Sequence, residues 1–69
     1  MLKRNIGENA GLIWRLLDKE TEMSFSALHK KSKLCFMDFY LAIGWLLREN
    51  KIHFFHKEKE EVLYVCLIE

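Results

Sequence analysis

The histidines and cysteines, which first invite a metal hypothesis, are few: His29, His53 and His56, and Cys35 and Cys66. A metal centre needs such groups at spacings that let them converge on one ion. His53 and His56 are three apart in a segment of strand periodicity, which sends them to opposite sides of a sheet. His29, Cys35 and Cys66 show no ligand spacing, so neither a metal nor another cofactor is expected. Catalysis needs a concave site holding a nucleophile and base, or paired carboxylates, and 69 residues leave little room for one. With no glycine-rich phosphate loop either, the chain reads as a non-enzyme without a small-molecule substrate. The cysteines lie in apolar surroundings without CxxC spacing, which predicts buried thiols in a reducing, cytoplasmic setting.

Binding chemistry is better represented. Leu34 to Ile52, LCFMDFYLAIGWLLRENKI, reads as one long helix that is apolar on both faces. A helix on a small domain hides one stripe and wets the other, so a second apolar stripe implies that something else covers it. Phe39, Ala42, Ile43, Leu46 and Leu47 form the core stripe, with Leu34 closing its start. On the reverse lie Met37, Leu41, Gly44 and Arg48, flanked by Tyr40 and Trp45. Met37, Tyr40, Leu41 and Trp45 are large and include residue types that anchor interfaces, so they are the candidate protein-binding surface. Burial of about 300 Å² per chain would give a symmetric dimer about 15 kcal/mol gross. That is comparable with the cost of association, about 4–15 kcal/mol. A homodimer is the simplest partner arrangement, with another protein as the alternative.

DNA binding is the competing reading. Base-edge readout needs Arg, Lys, Asn, Gln or Ser near the start of the reading helix. Here those positions hold Phe36, Met37, Asp38, Tyr40 and Leu41. Phosphate contacts are better supplied, by Lys30, Lys31 and Lys33, with His29, Lys3 and Arg4 as additions. Lys and Arg total 11 against 10 Asp and Glu, and the basic excess sits in the middle of the chain. Useful affinity rests on about six to ten neutralised phosphates, which this chain reaches only if nearly every candidate converges. The acidic KEKEE segment, residues 57–61, opposes insertion into a minor groove.

The elements that must position these groups are legible from periodicity. Hydrophobic residues make up 51% of the chain and proline is absent, so one densely packed domain over residues 1–69 is expected. From Ile6, the spacing of Ala10, Ile13 and Leu17 predicts an amphipathic helix with Asn5 as its N-cap. Gly7 and Gly11, one turn apart and leading to Trp14, predict close helix packing. Met23 falls in a short extended piece, and Ser24 caps a second helix, FSALHKKS. There Phe25 and Leu28 face inward, and His29, Lys30 and Lys31 mostly outward. Ser32 and Lys33 form the turn into the third helix. Beyond Asn50 and Lys51 the period becomes two, with IHFFHK and VLYVCLI flanking the charged turn Glu58 to Glu61, which predicts a β-hairpin. Ile52, Phe54, Leu63, Val65 and Leu67 face the helices, and Phe55, Tyr64, Cys66 and Ile68 face outward. Asp38 and Arg48 interrupt the apolar runs, so no membrane span is expected.

Helix, short strand, helix, turn, helix and two-stranded hairpin is the order of an α+β winged helix-turn-helix domain. A three-helix bundle with an incidental hairpin is the competitor, disfavoured by the short turn at Ser32 to Leu34. IGENAGLIW at residues 6 to 14 and LAIGWLLRENKI at residues 41 to 52 resemble the signature segments of a family of small bacterial winged helix-turn-helix proteins. Gly44 and Trp45, followed by Arg48 to Ile52, resemble that family's helix-to-wing junction. Cys35, Phe36 and Met37 depart from it, standing where more polar residues are expected. The resemblance implies the fold and supplies no activity, ligand or catalytic residue.

Overall fold

The structure, a computed structural model, describes residues 5–58 and 61–68. Its elements in chain order are α1 (Ile6–Glu20), β1 (Glu22–Ser24), α2 (Phe25–Ser32), α3 (Phe36–Arg48), β2 (Ile52–His56) and β3 (Leu63–Leu67). Spacing of Ala10, Ile13 and Leu17 over two turns puts all three on the buried side of α1. Asn5 opens that helix through its carbonyl, which accepts the Asn9 N–H at 2.9 Å, and its side chain makes no cap bond. Thr21, at φ 65°, turns the chain out of α1. Ser24 caps α2 as its type and position predict, its Oγ accepting the Ala27 N–H at 3.1 Å.

α3 is shorter than the apolar run that announces it. Cys35 takes an extended backbone at the N-cap, so Leu34 and Cys35 precede the helix. At the other end Asn50 adopts φ 59° and the helix stops at Arg48, which leaves Ile52 to open β2. Asparagine tolerates this left-handed conformation better than most residues.

The strands form one antiparallel sheet in the order β1-β3-β2. Val65 stands opposite Met23 on one side and Phe54 on the other. The predicted hairpin is present, and β1 adds a third strand to it. Met23, Ile52 and Val65 point inward and join Ala10, Ile13, Leu17, Leu28, Phe39, Ala42, Ile43 and Leu46 in the core. Phe25, Leu34, Phe54 and Leu67 pack around them.

Several expectations need correction. Leu47 is 42% exposed, because it lies at the edge of the α3 stripe beyond the reach of α1 and the sheet. His29 is half-buried rather than outward, since the turn after α2 folds Phe36 and Phe39 against its ring. Neither cysteine is fully buried: Cys35 is exposed because its extended backbone takes it off the helical face, and Cys66 is half-buried on the outer sheet face. Among the described residues, Gly7 and Gly11 support no close packing. A Cβ at Gly7 would meet nothing within 4 Å, and one at Gly11 only the Arg15 side chain at 3.6 Å. Lys3, Arg4 and the tip of the acidic turn at residues 59–60 lie outside the described residues. No helix among the described residues is long and apolar enough to cross a membrane.

Candidate functional site

The turn between α2 and α3 fixes how α3 is presented. Ser32 is only 4% exposed, and its hydroxyl donates to the His29 carbonyl at 2.7 Å while accepting the Leu34 N–H at 3.2 Å. The His29 imidazole reaches across the same turn and donates through Nε2 to the Leu34 carbonyl at 2.8 Å. Both polar groups of Leu34 are thereby satisfied by side chains of α2, which ties the entry of α3 to that helix. The ring of His29 also packs against Phe36 and Phe39, with centroids 4.4 and 4.7 Å away. Sequence periodicity alone gave no sign of this role, because it depends on what the turn brings opposite.

Held in this way, α3 buries Phe39, Ala42, Ile43 and Leu46 and presents the other face. Met37, Tyr40, Leu41 and Trp45 are 56%, 53%, 36% and 44% exposed. The four predicted residues thus share one uncovered surface, with Gly44 among them. Its two flanks differ. Tyr40 leans on α2, stacking on Phe25 at 5.9 Å and meeting Phe36 at 5.8 Å. Trp45 instead walls an open groove of about 320 Å³ between α1 and α3. Gly7, Ala10 and Gly11 line its α1 side together with Trp14, and Glu49 and Lys51 stand at its end. Trp14 and this groove extend the surface beyond the predicted residues. The glycine spacing and Trp14 were the signal, although which helix would face them was not.

The lysines form a separate area. Lys30, Lys31 and Lys33 are all exposed around the end of α2, and Lys31 pairs with Glu20 across 3.7 Å. On the outer sheet face, Cys66 and His53 stand opposite each other on β3 and β2, with Sγ and Nε2 2.8 Å apart. Phe55 stacks on Tyr64 at 5.6 Å beside them, and Lys57 lies over the Tyr64 ring while pairing with Glu22. Among the described residues no three His, Cys, Asp or Glu side chains are grouped to hold a metal ion.

Three helices, a tight turn held by His29 and Ser32, and an antiparallel strand pair after α3 define a winged helix-turn-helix domain. The chain belongs to the family described as Winged helix-turn-helix domain (DUF2582), whose model matches residues 1–67. That description names a fold and no activity. Comparison with curated proteins finds no match.

Proposed function

We propose that this winged-helix domain is a non-enzymatic, cytoplasmic binding module that docks on protein through the exposed face of α3, most simply on a second copy of itself. The observation that carries this reading is the uncovered apolar row of Met37, Leu41 and Trp45 with Tyr40 at its side. These side chains occupy the part of α3 where a base-reading helix needs Arg, Lys, Asn, Gln or Ser, and their only hydrogen-bonding groups are the Tyr40 hydroxyl and the Trp45 indole N–H. Sedimentation equilibrium of wild type and Leu41→Lys tests it. Concentration-dependent association of the wild type, lost in the variant with unchanged far-UV circular dichroism, is the expected result. A monomer in both cases, with no protein partner retained on the α3 face, sinks it.

Exposure of Lys30 and Lys33 beside the turn favours DNA as the second reading. Titration with mixed-sequence duplex DNA at two salt concentrations separates the two, because phosphate binding weakens steeply as salt rises. Binding that falls with salt and is reduced by Lys30→Glu with Lys33→Glu would support DNA, and no association at low salt would remove it.

A further inference from the structure

We infer that α3 pairs with α3 of a second copy in antiparallel register about a two-fold axis near the middle of the helix, with Leu41 of each chain seated on the bare backbone at Gly44 of the other. This deepens the docking reading above and rests on it. The inference starts from self-complementarity along one helix face.

α3 runs from Phe36 to Arg48, and Leu41 and Gly44 stand almost symmetrically about its centre on the exposed side. An axis between them aligns the two helices over their whole length and sets each Leu41 level with the partner's Gly44. Glycine inside a helix costs about 1 kcal/mol relative to alanine. Among the described residues nothing calls for it, because a Cβ at Gly44 would meet no neighbour within 4 Å. A leucine descending from another chain is an occupant that a Cβ there would obstruct.

Charge fits the same arrangement. Asp38 lies in the first turn of α3 and Arg48 in the last. Antiparallel pairing brings each Asp38 within a turn of the partner's Arg48 and opposes the helix dipoles, whereas parallel pairing stacks like charge on like. A two-fold axis perpendicular to the helices also keeps each flank beside the same flank of its partner. The two Trp45 indoles therefore face one another on one side, each beside the partner's groove at Gly7, Gly11 and Trp14. The two Tyr40 rings meet on the other side.

The exposed fractions of Met37, Tyr40, Leu41, Trp45 and Trp14 set the size of the contact. With whole aromatic side chains contributing about 150–250 Å² each, this surface offers roughly 450 Å² per copy. Stable complexes use about 800 Å² per partner. Two copies thus bury an area at the small end of specific interfaces, that of a weak, reversible dimer.

Sedimentation equilibrium from about 1 µM to about 1 mM wild-type protein covers weak, reversible association. A reversible dimer is expected, weakened at least about 100-fold by Leu41→Lys, which would bury an unpaired charge. Gly44→Leu is the decisive variant, since leucine is the better helix former and leaves the protomer at least as stable to heat. It is expected to abolish the dimer by filling the seat of Leu41. The double variant Leu41→Ala with Gly44→Leu exchanges knob and hole, and is expected to recover association. A dimer lost in Leu41→Lys but kept in Gly44→Leu would overturn the antiparallel seat while leaving α3 as the docking face. A wild-type chain that stays monomeric throughout the range would overturn pairing with a second copy altogether.

Discussion

The His29 imidazole donates through Nε2 to the Leu34 carbonyl at 2.8 Å, so a side chain of α2 holds the backbone from which α3 starts. The same ring packs on Phe36 and Phe39. His29→Ala removes the hydrogen bond, worth about 0.5–1.5 kcal/mol net, and leaves a void against the core. The expected loss is about 2–3 kcal/mol in urea unfolding, and amide exchange in the first turn of α3 is expected to accelerate before the rest of the helix.

Ser32 acts on the same turn from inside. Its hydroxyl is buried and serves as donor and acceptor at once. Ser32→Ala leaves the Leu34 N–H without that partner, and the expected cost is about 1–3 kcal/mol. Ser26, exposed on α2, is the control: its alanine variant should unfold within about 0.5 kcal/mol of wild type.

The two helix starts should respond unequally to alanine. Ser24→Ala removes a side-chain cap from Ala27 and should cost about 1 kcal/mol. Asn5 contributes its carbonyl and no side-chain cap bond, so Asn5→Ala should cost less than half as much. Paired chemical denaturation of the two variants checks the difference.

Gly7→Ala should raise stability. The added methyl meets none of the described residues within 4 Å, and alanine restricts the unfolded chain more than glycine does. A gain of about 0.5–1 kcal/mol is expected, visible as a higher melting temperature at low protein concentration.

Leu46 and Leu47 are neighbours in sequence with opposite fates. Leu46 is 4% exposed in the core, and Leu46→Ala should cost about 2–5 kcal/mol. Leu47→Ala should cost no more than about 1 kcal/mol, because much of that side chain already meets solvent.

Most of the architecture was legible because local signals and periodicity agreed. Ser24 marks the start of α2 by its capping chemistry, and the alternation of Ile52, Phe54, Val65 and Leu67 separates the two faces of the hairpin. The exposed face of α3 was legible in the same way, since helical spacing alone places Met37 and Leu41 opposite Phe39 and Ile43. Misplacements arose where a position depends on a neighbour that periodicity does not contain. Leu47 belongs to an apolar arc wider than α1 and the sheet can cover. His29 turns inward because of a contact made beyond the turn. The groove between Trp14 and Trp45 required two helices to be set side by side, a relation no single stretch of residues records. The extended piece at Met23 is local, but its pairing with β3 joins segments far apart in the chain.

That pairing bears on how the domain comes into being during synthesis. β3 lies between β1 and β2, so Met23 has no strand partner until Val65 has been made. α1, β1, α2 and α3 leave the ribosome first, with two of the three strands still to come. The helices can pack on one another early, but the sheet cannot grow strand by strand, because the last strand made is the one that joins the first two.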